Sequence, residues 1–228
     1  MPVSKFSQSR SLPSAAAAKA ALDILHDHGK LVHCQPLVGE VQQLNTSPDD
    51  SRIPDDEKSP KYDWWQQTEH VPILPFGIWK KKVVFNNWFK DFPGQPIQRG
   101  SVTVADGAAK AEVTDAGRSE GGVETICYAP SGIKIRAMFR VERRKADFAK
   151  GSIASRGKEA NDAGESMGSD NEEWRLVEIS EMECSNALIL KFSERQHRSA
   201  HGKMLDNIVH EAKKRAYVPD ATGPGIEN

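Results

Sequence analysis

Four side chains in this sequence are of the kind that moves protons near neutral pH, and their spacing turns them toward an apolar interior. They are Lys81, Glu178, His197 and His201. Lys81 alternates with Trp79 and Val83, and Glu178 with Leu176 and Ser180, at the period of two that puts side chains on one face of a β-strand. His197 and His201 lie four apart in a helical pattern with Leu190, Met204 or Leu205, Ile208 and Ala212. Inside an apolar cavity a polar group must be hydrogen-bonded, paired or functional. Desolvation raises the pKa of a Glu and lowers that of a Lys, which brings both toward acid/base work at pH 7. The chemistry would be proton transfer in an aldol-type cyclisation or a dehydration of a polyketide-like substrate. The plainer alternative is a Lys81–Glu178 salt bridge, or two groups in water at a cavity mouth, with each histidine a satisfied core or boundary residue.

Tyr62, Trp64, Trp79, Phe85, Phe139 and Trp174 fall on strand faces and are expected to form an aromatic wall. Such rings bury large apolar area and hold flat hydrophobic ligands by stacking, or simply build core. His26, His28, His33 and Cys34 are close together, but H-x-H-x4-H-C lacks the second ligand pair of a zinc motif, so no metal is expected there. Lys80-Lys81-Lys82 sits among aromatics, but alternate strand residues face opposite ways, so no nucleic-acid surface is expected. Lys213-Lys214-Arg215 suits the negative end of a helix dipole. There is no G-x-S-x-G, phosphate loop or dinucleotide fingerprint, which disfavours serine-hydrolase, ATP and NAD mechanisms and leaves no cofactor to expect.

The elements that must position these residues follow from local pattern. A first strand leads to Pro13-Ser14, and Ser14 is an N-cap for an Ala-rich helix over 15–28 that Gly29 stops. A short helix or turn over 31–36 and a strand over 38–44 come next. Residues 45–60 hold three prolines and five acidic residues and read as a loop with almost nothing to bury. Strands are expected around Tyr62–Thr68 and Trp79–Phe85, joined by a turn at 74–77 and ended by Pro93-Gly94. In this pair Tyr62, Trp64, Gln66 and Thr68 are taken as one face and Trp79, Lys81, Val83 and Phe85 as the other strand's matching face. Weaker strands are expected over 97–104 and 109–113.

The clearest period-two pattern is Ile133, Ile135, Ala137, Phe139 and Val141 alternating with Lys134, Arg136, Met138, Arg140 and Glu142. With residues 123–129 and the turn Pro130-Ser131-Gly132 it predicts a hairpin. Residues 143–173 carry few large apolar side chains and are expected to be a disordered insertion. Trp174, Leu176, Glu178, Ser180, Met182 and Cys184 share one face of a last strand. Ser185-Asn186 then opens a helix over 187–217, where Gly202 marks a bend or a close backbone approach, and 218–228 is a Pro/Gly tail.

The 228 residues carry a net charge of −1, from 31 basic and 32 acidic side chains, so nothing steers the whole molecule to nucleic acid or an anionic membrane. Three scattered cysteines suit a reduced, cytoplasmic setting rather than a disulfide framework. No apolar run reaches the ~20 residues of a membrane span, and the N-terminus lacks a signal-peptide core. The first 22 residues lack acids, which suits a strand and an Ala-rich helix, or alternatively a mitochondrial presequence.

Leu25-His26-Asp27-His28 with Gln35-Pro36-Leu37-Val38, then Tyr128-Ala129-Pro130-Ser131-Gly132-Ile133, then Trp174–Glu178 leading to Cys184 and Asn186, resemble in order an uncharacterised fungal family of unknown function. That family is similar to the helix-grip proteins, the START, polyketide-cyclase and birch-pollen-allergen group. The resemblance spans about residues 6–217, with Gln35 standing where Asn is usual, and brings no catalytic residue. It implies a single α+β helix-grip domain over 1–217, in which six to seven curved antiparallel strands wrap a long C-terminal helix around a hydrophobic cavity. The partner expected is a small hydrophobic ligand, a lipid or polyketide-like metabolite. The alternative is a cyclase or dehydratase of specialised metabolism, a lyase or isomerase without a redox cofactor. No oligomeric state is read from the sequence.

Overall fold

Ser14 has extended backbone and its Oγ accepts from Ala17 N–H, so the first helix starts where an N-cap is expected. In the computed structural model, which describes residues 1–72, 80–96, 118–145 and 172–217, that helix is α1 (Ala15–His26). It follows β1 (Val3–Leu12) and ends two residues earlier than expected. Asp27 closes α1 and caps the next helix, accepting from Lys30 N–H, so Gly29 lies inside α2 (His28–His33) rather than stopping α1.

The strands follow as β2 (Val38–Leu44), β3 (Asp63–Pro72), β4 (Lys80–Pro96), β5 (Arg118–Ala129), β6 (Ile133–Lys145) and β7 (Glu172–Glu183). They form one antiparallel sheet in the order β1-β7-β6-β5-β4-β3-β2. Pro93-Gly94 does not end β4; the strand runs on, with Pro93 opposite Gly121. The β5–β6 hairpin turns through a 3-10 turn at Pro130–Gly132, where Gly132 takes a φ of +70° that favours glycine. Residues 143–145 and 172–173 belong to strands that pair with each other, so the insertion read over 143–173 is shorter at both ends. Its remainder, the turn at 74–77, Trp79, the strands expected over 97–104 and 109–113 and the tail at 218–228 lie outside the described residues.

The last helix, α3 (Ala187–Tyr217), has the expected bounds, and Asn186 Oδ1 accepts from the N–H groups of Leu188 and Ile189 at its start. Leu190, His201, Met204, Leu205, Ile208 and Ala212 are buried, as their helical spacing requires. Its second half joins α1, Phe139, Val141 and Leu176 in the main core. Gly202 marks a close approach to β1: a Cβ there would lie 3.1 Å from Gln8 Oε1, and Arg10 donates to the Gly202 carbonyl at 3.2 Å.

The other side of the sheet has its own core. Trp64, Trp88, Ile126 and Tyr128 pack there with Tyr62, whose ring stacks on Trp88 at 4.1 Å. The acidic loop covers them, for Ile53 is buried in this cluster. The loop therefore does bury a residue, and its Asp50 holds both Arg52 and Asn86.

Candidate functional site

Residue alternation divides the sheet's two faces. Phe139 pairs in register with Glu178, Ala137 with Ser180 and Ile135 with Met182, so these six share the face that α3 covers. Further along, Asn87, Cys127 and Ile135 are linked pair by pair through β4, β5 and β6 and lie on that same face, as does Phe85, two residues before Asn87 and the partner of Gln67 in β3. Between this face, α2 and the first half of α3 lies a cavity of about 590 Å³. Leu31, Val32, Phe85, Phe89, Ile135, Ala137 and Phe139 give it apolar walls.

One polar cluster stands against that wall. Glu178, wholly buried, accepts from Ser180 Oγ at 2.5 Å and faces His201 Nδ1 at 2.6 Å, both at Oε1. His197 Nε2 is 3.8 Å from the same oxygen and 3.4 Å from Ser180 Oγ. The two imidazoles lie one helical turn apart with centroids 3.7 Å from each other, and both line the cavity. On the far side of its ring, His201 Nε2 is 2.9 Å from Gln35 Nε2, just beyond α2. With that amide donating, Nε2 accepts and the Nδ1–H donates to Glu178. Two buried atoms have no hydrogen-bond partner, Glu178 Oε2 and Gln35 Oε1.

The electrostatics differ from what burial alone predicts. Burial pushes the Glu178 carboxyl up, but the charge and hydrogen bond of His201, the Ser180 hydroxyl and the field of Arg10 outweigh it, and the net direction is down. Glu178 is therefore a carboxylate, and the raised pKa expected of a buried Glu is corrected by its neighbours. His197 is held well below its ordinary value, first by burial, then by the charges of His201 and Arg198, so it is neutral at pH 7. Across the cavity Glu69 goes the other way: burial raises it, against the lowering effects of His201 and the Gln67 amide. Burial also raises the Cys127 thiol on the same wall.

The expected site residues separate into groups. Glu178, His197 and His201 come together, and Phe85 and Phe139 line the cavity. Lys81 also borders the cavity but is exposed at its mouth, while Glu178 meets Ser180, His197 and His201. Tyr62 and Trp64 lie on the opposite face, in the outer cluster, because β3 turns Gln67 and Glu69 rather than Trp64 toward the cavity. Trp174 packs against the main core and Trp79 is outside the described residues. His28 is engaged by Asp63 at 2.6 Å and Asp91 at 3.2 Å, and Lys82 by Glu40. Sequence reasoning missed Gln35, Gln67 and Glu69; the last two alternate with Gln66 and Thr68, so the signal was present but assigned to the wrong face. Glu178, His197 and His201 are also the group whose donor atoms lie close enough to hold a metal ion among the described residues.

The profile of a family described as domain of unknown function (DUF7053) matches residues 3–97 and 110–214. No match was found among curated proteins. Among solved structures the chain is similar to the Zhui aromatase/cyclase from Streptomyces sp. R1128, with a TM-score of 0.50 and 11% identity over 97% of this chain and 99% of that one. A structure of Ara h 8.0201 aligns with a TM-score of 0.44 and 8% identity over 93% and 99%. The first likeness establishes the fold, a curved antiparallel sheet gripping a long C-terminal helix.

Proposed function

The chain belongs to the DUF7053 family, and from its cavity we infer that it binds one small hydrophobic molecule, a lipid or a polyketide-like metabolite, between the sheet and α3. The observation that carries this reading is the cavity itself. Its volume of about 590 Å³ lies inside the ~300–1,000 Å³ of small-molecule sites, and its walls are apolar with a few convergent polar groups. Stacking on Phe85 and Phe139 would supply affinity, and the buried Glu178 cluster would orient a hydroxyl or carbonyl. Among the described residues no helix is long and apolar enough to cross a membrane. The three cysteines form no disulfide, which supports placing the work in the cytoplasm.

The test is a titration with 1-aminoanthracene, a neutral fluorescent polycyclic aromatic, followed by competition with a fatty acid, a sterol and a polycyclic phenol. One probe per chain is expected. Ala137→Trp, which projects an indole into the cavity from a wholly buried position, should weaken probe binding at least ~10-fold in protein that its melting curve shows to be folded. Equal affinity in the variant contradicts the reading.

A second reading, a cyclase or dehydratase working without a redox cofactor, draws on the chain Glu178–His201–Gln35. Glu178 fixes the Nδ1–H of His201, so that Nε2 would take a proton from a carbon flanked by carbonyls once a substrate displaces Gln35. The fold is shared with an aromatase/cyclase, which is compatible with this reading. Glu178→Gln discriminates: an enzyme loses turnover with ligand affinity retained, whereas a carrier has no turnover to lose.

A further inference from the structure

The cluster that borders the cavity is built like a ligand set. We propose that Glu178, His197 and His201 bind one divalent transition-metal ion of the zinc class, with a coordination position open toward the cavity. Two imidazoles and a carboxylate form a three-donor set of the type that leaves a fourth position for water or a ligand oxygen.

Geometry is the first argument. One donor atom from each of Glu178, His197 and His201 lies within 4.8 Å of the other two. A tetrahedral shell with bonds of about 2.0–2.1 Å separates its donor atoms by ~3.3 Å. Oε1 stands 2.6 Å from His201 Nδ1 and 3.8 Å from His197 Nε2, one below that spacing and one above it. Side-chain adjustments of less than ~1 Å equalise them. The histidines are four apart on a helix anchored in the main core, so their ring separation is set by the backbone.

The orphaned carboxylate oxygen is the second argument. A buried polar atom without a partner keeps its desolvation cost, and Glu178 Oε2 is such an atom. An ion on His201 Nδ1 takes the place of the proton there, and that proton moves to Nε2 as the ring changes tautomer. With its amide turned over, Gln35 then accepts that Nε2–H at Oε1 along the existing 2.9 Å contact. Glu178, no longer bonded to the Nδ1–H, can turn Oε2 to the ion. The ion thus gives Glu178 Oε2 a partner, and Ser180 Oγ stays as the group that orients the carboxylate. Both rings line the cavity, so the open position faces its occupant. The assignment stands whatever that occupant is, because the ion is tested alone.

The test uses the full chain without a histidine tag, dialysed against chelator. Zn²⁺ is titrated calorimetrically, and Co²⁺ is followed by its visible absorption. One ion per chain is expected, with tetrahedral Co²⁺ bands. His197→Gln and Glu178→Gln should abolish stoichiometric uptake, and Gln35→Leu, a positioning change, should weaken it 10- to 100-fold. His26→Gln and His33→Gln, at exposed histidines, should leave uptake unchanged. Melting curves of the metal-free variants show whether each folds; if Glu178→Gln does not, His197→Gln carries the test. No uptake by the parent chain overturns the proposal. So does uptake that survives His197→Gln and is lost in the exposed-histidine variants.

Discussion

Glu142 and Glu178 sit on neighbouring strands, both wholly buried, and are answered in opposite ways. Glu142 lies on the outer face between two guanidiniums, with Arg140 on one oxygen at 2.6 Å and Arg144 on the other at 2.7 Å. Both oxygens are used, by cations that never lose their charge. Glu178 lies on the inner face and meets a hydroxyl and an imidazole at one oxygen, while the other has no partner. The first arrangement is closed and permanent. The second is titratable, incomplete and adjacent to a cavity. Burial of a carboxylate therefore says little about its role; the chemistry and number of its partners say more.

The largest expected effect comes from stripping the closed site. Arg140→Met with Arg144→Met leaves a buried carboxylate without cations and should cost about 3–5 kcal/mol in urea unfolding. Glu178→Gln keeps shape and removes charge, and the amide can still bond the Ser180 hydroxyl and the His201 imidazole, so it should cost about 1 kcal/mol. A loss as large as that of the arginine pair would make Glu178 structural and erase the contrast.

The comparison sharpens further with pH. His197 has a folded pKa below its ordinary 6.5, so the unfolded chain takes up a proton that the folded chain refuses. Its contribution is complete above about pH 6.5 and is lost as pH falls, at up to ~1.4 kcal/mol per pH unit. Glu178, also depressed, adds a loss that begins only near its ordinary carboxyl value of 4.5. Stability followed from pH 7.5 to 5.5 should therefore fall in the parent chain and stay flatter in His197→Gln. Equal slopes would mean that the imidazole titrates as it does in water.

Much of this was legible in the sequence. The alternation in β6 placed Phe139 correctly because one face is apolar and the other charged, and the i, i+4 histidines followed from the apolar stripe of α3. β3 was read with the wrong face inward. Aromatic Tyr62 and Trp64 point away from the cavity, and their burial depends on Ile53 from a loop whose composition gave no sign of it. The direction of the Glu178 shift was equally hidden. It depends on His201, 23 positions later, and no strand pattern reveals which group a helix will lay on a carboxylate. Gln35 sits in a recognisable short motif, but its contact with His201 spans 166 positions.

The molecule is expected in the inner-face cavity, not in the smaller cleft of about 320 Å³ that Tyr62, Trp88 and charged side chains line on the outer face. The most direct measurement is an isotope-filtered NOE experiment on 1-aminoanthracene bound to labelled protein. Contacts from the ligand to the methyl groups of Ala137, Ile135 and Met204 are the predicted result. Contacts to Ile126 on the outer face instead, or none at saturating probe, would contradict it.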